Sequence, residues 1–303
     1  MALTRRDLAY AAAAWTMSLS ALQAQTARSR IGQAEVLILD DGTITLPGSL
    51  LARSAPRDEV SRLLTEAGLP LDQVTNSLNV PIVRVGDDLV MFDSGSGKNF
   101  MPTTGRLPDS MEKAAIDPAT VKHVFLTHAH PDHLWGALDD FDTAACPNAT
   151  YYIAQAEWDF WFRADIFSQL PEDRQAFAAG AQRVLKAIEP QIKRFKPGEE
   201  VIPGVAAIDT AGHTPGHVAF EVRLGGSPFL VAGDAVTHPV LSFARPDWAG
   251  GFDHEPEKAA VSRKRLLSRL AAEKIPLAAY HLPRGGLGHV EAAGTAYRFV
   301  PMA

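Results

Sequence analysis

The chain has 303 residues, 46% of them hydrophobic and 21% charged, with a formal net charge of −6. That is apolar material for one large α/β domain or two smaller ones, and too much for a disordered chain. The acidic balance argues against nucleic acid as a partner, and past the first thirty residues no stretch reads as a membrane span.

Those first thirty residues stand apart. Thr4-Arg5-Arg6-Asp7-Leu8 precedes an uncharged, alanine-rich stretch from Ala9 to Leu22, and small and polar residues follow. This is the layout of a secretory signal. The pair Arg5-Arg6 resembles a twin-arginine signal, which exports folded proteins. Residues 1–30 are read as an export signal cleaved after Ala24 or Thr26, with an anchoring amphipathic helix as the alternative. Residues 31–303 are read as one catalytic domain, periplasmic or secreted. Cys146 is the only cysteine, so no intrachain disulfide forms, and it reads as a buried thiol.

Along the chain, Ala34 to Leu39 and Thr43 to Leu46 read as a β-hairpin about an Asp41-Gly42 turn. Val60, Leu63 and Leu64 mark a helix over Asp58 to Ala67. Val80 to Val85 and Leu89 to Phe92 form a second hairpin, ending at the turn-forming Asp93-Ser94-Gly95-Ser96-Gly97. Met111 to Ala115 is helical, and Val121 to Leu126 is a buried strand. Tyr151 to Ala154 is a strand running into an aromatic-rich helix from Gln155 to Phe162. Ala178, Ala181, Val184, Leu185 and Ile188 share one face of a long helix over Arg174 to Phe195. Strands follow at Val205 to Asp209, Val218 to Val222 and Phe229 to Ala232. A second long helix covers Glu255 to Lys274 with Val261, Leu266, Leu267 and Leu270 inward, and Pro276 to Tyr280 is the last strand. Such an order predicts mixed sheets flanked by helices, with the helix-rich stretch from Gln155 to Lys196 as an insertion or cap near the site.

The strand ending at Leu126 empties into Thr127-His128-Ala129-His130-Pro131-Asp132-His133. Four imidazole and carboxylate groups are poor core filler but typical ligands for zinc and similar cations. Further candidates close other apolar runs: His213 after Val205 to Asp209, Asp234 after Leu230-Val231-Ala232-Gly233, and His281 after Ala278-Ala279-Tyr280. A catalytic zinc needs three protein ligands, so these seven residues suffice for two ions.

With these motifs in this order, and Asp93 after its own strand, the chain resembles the metallo-β-lactamase superfamily. The resemblance implies an αββα sandwich of two mixed sheets flanked by helices. It implies His128, His130 and His213 on one metal, Asp132, His133 and His281 on a second, Asp234 bridging, and Asp93 supporting from behind. Leu39-Asp40-Asp41-Gly42-Thr43, Gly105-Arg106-Leu107, Phe195-Lys196-Pro197, His281-Leu282-Pro283 with Gly288-His289, and Tyr297-Arg298-Phe299-Val300-Pro301 resemble a narrower branch. That branch holds methyl parathion hydrolase, lactonases and aryl esterases. It implies a homodimer and an aromatic substrate pocket, with Phe100 and Trp161 at the matching places. The loop Gly97-Lys98-Asn99 departs from the methyl parathion hydrolase pattern, so lactones and aryl or carboxylic esters come before phosphotriesters.

Two cations roughly 3.5–4 Å apart make a bridging hydroxide available near neutral pH. It would attack a carbonyl polarised by one metal, with Asp132 carrying the proton to the leaving alkoxide. Two divalent ions are expected, zinc first, with manganese, cobalt and iron sharing the same ligands. Of the aromatics Trp158, Phe160, Trp161 and Phe162, a helix cannot bury all four on one face, so one is expected at the pocket entrance, and Trp161 is the choice. Phe177 and His238 are further pocket candidates. His217 reads as a supporting histidine, and His289, His123 and His254 as non-catalytic. Two alternatives stay open on the same scaffold. One is a β-lactam hydrolase, with Arg284 as the nearby cation. The other is a one-iron sulfur dioxygenase, which metal stoichiometry would distinguish.

Overall fold

The computed structural model describes residues 27–31, 34–53, 55–85, 87–223 and 227–302. Residues 1–26, the bulk of the expected export signal, lie outside them. Among the described residues, fourteen strands build two sheets. The first comprises β1 (Ala27–Ile31), β2 (Ala34–Pro47), β3 (Gln73–Val85), β4 (Asp88–Phe92), β5 (Val121–Phe125), β6 (Thr150–Ala154) and β7 (Ile192–Phe195), side by side in that order. Neighbours are antiparallel up to β4 and parallel from β4 to β7. The second sheet runs through β8 (Glu200–Ile202), β9 (Val205–Asp209), β10 (Val218–Arg223), β11 (Pro228–Val231), β12 (Leu277–Ala278), β13 (Leu287–Ala293) and β14 (Ala296–Pro301). Its one parallel pair is β11 with β12. The helices are α1 (Arg57–Glu66), α2 (Leu107–Lys113), α3 (Pro131–Leu134), α4 (Gln155–Trp161), α5 (Ile166–Gln169), α6 (Gln175–Ala187), α7 (Leu241–Ala244) and α8 (Pro256–Glu273).

Period-2 alternation sends successive side chains of one strand into different layers. Val36 and Ile38 of β2 meet Phe220, Val222 and Phe229 between the sheets. Leu37 and Leu39 face the other way, into the core that also holds Leu107 and Met111 of α2 and Ala178, Ala181, Val184 and Leu185 of α6. On the far side, Leu266, Leu267 and Leu270 of α8 cover Ala219, Leu230 and Leu277. Burying each such leucine contributes about 1.5–3 kcal/mol. The result is helix, sheet, sheet, helix: the expected αββα sandwich. No described helix is long and apolar enough to cross a membrane.

The structure corrects several sequence readings. Ala27–Ile31, four residues of which fall in the stretch read as signal, is an edge strand paired with β2. The Asp41-Gly42 hairpin does not exist: β2 continues through it with a bulge between Asp40 and Thr43. The cause is tertiary. The buried Asp41 carboxylate accepts from Ser96 N and Ser96 Oγ, both at 2.7 Å, and from Leu107 N at 2.8 Å. Gly42, at φ +107°, lets the Thr103 carbonyl approach where a Cβ would stand.

The long helix expected to reach Phe195 stops at Ala187, because Pro190 cannot continue it, and β7 follows. Val261 is 63% exposed, off the stripe that α8 buries. The strand near Pro276 shrinks to Leu277–Ala278 and is not the last, since β13 and β14 close the sheet and His289 lies within β13. The helical stretch after Gln155 lies on the outer face of the first sheet.

Candidate metal centre

Each candidate ligand sits just past a strand end along one edge of the sandwich. β4 delivers Asp93, β5 the run from His128 to His133, β9 the loop holding His213, β11 Asp234, and β12 His281. All seven candidate ligands are buried. Three groups bring their donor atoms within 4.8 Å of one another: His128, His130 and His213; His128, His133 and Asp234; and Asp132, His133 and His281. Asp234 is the hinge between the sides. Its Oδ2 lies 3.2 Å from both His213 Nε2 and His281 Nε2, and its Oδ1 3.2 Å from His133 Nε2. Asp132 Oδ2 lies 3.3 Å from His281 Nε2.

A neutral imidazole offers one donor and one acceptor nitrogen, so its outer hydrogen bond decides which nitrogen can bind a cation. Asp93, held in a left-handed conformation at φ +63°, accepts from Thr127 N at 2.7 Å and from His133 Nδ1 at 2.8 Å. His133 Nε2 is thereby turned inward. His281 Nδ1 reaches the Ser77 carbonyl at 3.1 Å. His217 has both nitrogens engaged, with Nδ1 toward Thr210 and Nε2 accepting from Asp234 N at 2.9 Å. It anchors the Asp234 backbone and has no lone pair left for a metal. Burial and the neighbouring His213 bring its pKa down to about 3.

The donor set fits divalent cations. His128 Nε2 is fully buried without a hydrogen bond, and the buried His133 Nε2 and Asp234 Oδ1 have only each other, at 3.2 Å, an arrangement that is costly unless something binds there. Burial, with adjacent imidazoles, holds His128 and His130 well below the ordinary histidine range. Burial would also depress His281, but Asp234 and Asp132 outweigh it and lift the pKa to about 10. Carboxylates that hold protons on neighbouring histidines are carboxylates waiting for a cation.

A cavity of about 250 Å³ opens onto His130, Asp132, His213, Asp234 and His281. Its walls are Ile44, Leu46, Leu50, Leu51, Phe100, Met101, Phe177 and Phe252, with Asn76 and Thr237 as neutral polar groups and Asp253 as an acidic one. No lysine or arginine lines it among the described residues. Phe100 and Phe177 both line it, their ring centroids 6.5 Å apart.

Trp161 does not line the cavity. It is fully buried and its Nε1 donates to Glu157 at 2.7 Å. Trp158 and Trp161 share the inner face of α4, while Lys186 lies over Phe162 and Arg194 over Trp158, so the aromatics are covered without an entrance. His238 is buried beside the cavity wall, its Nδ1 accepting from Val240 N and Leu241 N, and it is not a lining residue. Arg284 is exposed and also absent from the lining.

Glu157 escaped the sequence reading. Wholly buried on α4, its carboxylate accepts from Ala129 N at 2.9 Å, Trp161 Nε1 at 2.7 Å, Thr214 Oγ1 at 2.6 Å and Gly216 N at 3.1 Å. It ties the loop of His128 and His130 to the loop of His213. A Cβ on Gly216 would stand 2.0 Å from Glu157 N, so the approach requires glycine. The sequence signal was a glutamate four residues before a tryptophan on an otherwise apolar helix face.

The chain belongs to the metallo-β-lactamase superfamily, whose family model matches residues 77–279. It is a metallo-hydrolase, and its known relatives include lactonases. It is similar to the solved structure of AidC, described as a dizinc quorum-quenching lactonase, with 28% identity and a TM-score of 0.87 over 92% of this chain and 98% of that one. It is also similar to the hydrolase AbOPH, with 30% identity and a TM-score of 0.86 over the same shares. The N-acyl homoserine lactonase AttM of Agrobacterium fabrum is 32% identical over 137 residues, 42% of this chain and 46% of that protein.

Proposed function

We propose that the protein is a dinuclear metal hydrolase that opens lactones or cleaves uncharged aryl or carboxylic esters, with phosphotriesters as a secondary class. The observation that carries this reading is the joining of seven buried ligand side chains to an apolar cavity without a cation. His128, His130 and His213 would hold one ion, Asp132, His133 and His281 the other, with Asp234 shared. Such a pair, zinc first among the candidates, supplies a Lewis acid for the carbonyl and a nucleophile at neutral pH.

The chain's own groups do the rest. Asp93 fixes the His133 tautomer, and His217 fixes the Asp234 backbone. Asp132, whose side chain faces the cavity, accepts the proton released in attack and returns it to the leaving alkoxide. Phe100, Phe177 and Phe252 pack an acyl or aryl group and exclude water. A β-lactam carries a carboxylate that this wall leaves unpaired, which disfavours that alternative. Similarity to AidC and AttM supports a lactone as the substrate class.

The paired arginines and uncharged stretch near the start support export to the periplasm or beyond, and the resemblance supports a homodimer. Fractionation and light scattering test these. The function itself is tested with lactones, aryl esters, phosphotriesters and β-lactams, alongside metal analysis of the same preparation. Lactone or ester turnover is expected to dominate. Preferred turnover of β-lactams would overturn the assignment.

A further inference from the structure

The dipeptide Asp253-His254 joins the cavity wall, which Asp253 itself lines, to α8, and it lies 19 or more residues from every ligand motif. It touches two of the imidazoles at once. His213 Nδ1 is 3.0 Å from Asp253 Oδ1, while His213 Nε2 points at Asp234. His130 Nε2 is 3.2 Å from His254 Nε2, while His130 Nδ1 points at His213 Nε2, 3.0 Å away. The two histidines thus turn opposite nitrogens inward, Nε2 for His213 and Nδ1 for His130.

We infer that Asp253 and His254 are positioning residues that select the tautomers of His213 and His130, and so set the ligand geometry of the all-histidine side of the centre. This rests on the reading above that these two histidines hold a cation. A nitrogen that binds a cation carries no proton, so the outer nitrogen must carry it and needs an acceptor. Asp253 Oδ1 accepts from His213 Nδ1–H. His254 Nε2 accepts from His130 Nε2–H.

The dipeptide is held rigidly. His254 N donates to the His213 carbonyl at 2.9 Å and Glu255 N to the Gly212 carbonyl at 2.9 Å, so it is laced to the very loop it orients. Asp253 Oδ2 accepts from Gly250 N at 2.8 Å and from the buried Arg263 Nη2 at 3.2 Å. Arg263 Nε also donates to the Ala235 carbonyl at 2.9 Å, next to Asp234. Both carboxylate oxygens of Asp253 are thus committed as acceptors. Asparagine cannot replace it: either amide orientation points an N–H₂ at an existing donor.

The test uses the full chain and zinc alone. Wild type and the variants Asp253→Asn, His254→Ala and His254→Gln are titrated against a chromophoric chelator, and the cobalt-substituted visible spectrum is recorded for each. Wild type is expected to bind two equivalents. Asp253→Asn and His254→Ala are expected to weaken one equivalent about 10–100-fold, with an altered cobalt spectrum, and to leave the other intact. His254→Gln keeps an acceptor and is expected to restore both. The melting temperature of the metal-free proteins separates positioning from folding. Should Asp253→Asn fail to fold, the pair at the half-buried His254 decides. Unchanged affinity and spectrum in His254→Ala would overturn the inference while leaving the function standing. A wild type that binds no ion would overturn both.

Discussion

The floor and the walls of the cavity are built by different means. The floor consists of donors at strand ends, each within a few residues of a buried β-strand, so sheet register brings their loops to one edge, where Glu157 and His217 tie them. The walls come from Ile44 and Leu46 on β2, Leu50 and Leu51 after it, Phe100 in a loop, Phe177 on α6 and Phe252 before α8. No short spacing relates these segments, and only tertiary packing juxtaposes them. The floor should therefore tolerate almost no change, while the walls should trade one substrate for another.

The largest expected effect breaks the floor. Asp234→Ala or His130→Ala should lower kcat/KM by at least ~1000-fold, about 4 kcal/mol of transition-state stabilisation. Circular dichroism should show the fold retained, and turnover near wild type in either variant contradicts the floor's role.

Next comes the buttress joining the two ligand loops. Glu157→Leu strands four donors in the interior, two of them backbone N–H groups. A loss of about 3 kcal/mol or more in urea unfolding is expected. A loss below about 1 kcal/mol would mean that the loops are held by something else.

Asp41 gives a test by pH. Burial lifts its pKa to about 6 against three donors that oppose the shift. A carboxyl whose folded pKa is raised contributes most stability below its unfolded pKa, near 4, and that contribution is lost as pH rises through about 6. Between pH 4 and pH 7 the metal-free wild type should lose up to about 2–3 kcal/mol relative to Asp41→Asn, read from paired urea melts. Parallel pH profiles would rule out this role for Asp41.

The smallest effect sharpens the wall. Phe177→Ala should raise KM for long-chain or aryl substrates about 10-fold and leave kcat for a small lactone nearly unchanged. An equal drop in kcat for both substrates would place Phe177 in the chemistry instead.

The floor was legible in the sequence because strand and ligand share one local signal: an apolar run followed within a few residues by histidine or aspartate. Tertiary partners decided what stayed illegible. Asp41-Gly42 has the local chemistry of a hairpin turn, and only Ser96 and Leu107 reveal it as a bulge. Nothing local gives Glu157 a role: three of its four donors arrive from two loops distant in sequence. Trp161 was sought at the entrance because nothing local shows that Lys186 and Arg194 cover its neighbours. His254 has no apolar run before it, and its role shows only against His130. β13 and β14 escape the pattern because Gly285, Gly286, Gly288 and Gly294 interrupt it, and only pairing such as Ala278 with Leu287 reveals them.

The most direct test of the central claim is a metal titration of the chelator-stripped protein followed by lactone turnover. Activity is expected to be absent in the stripped protein, to rise with added zinc and to saturate only at two equivalents per chain. Full activity at one equivalent, or undiminished turnover without metal, would contradict the two-metal reading of this site.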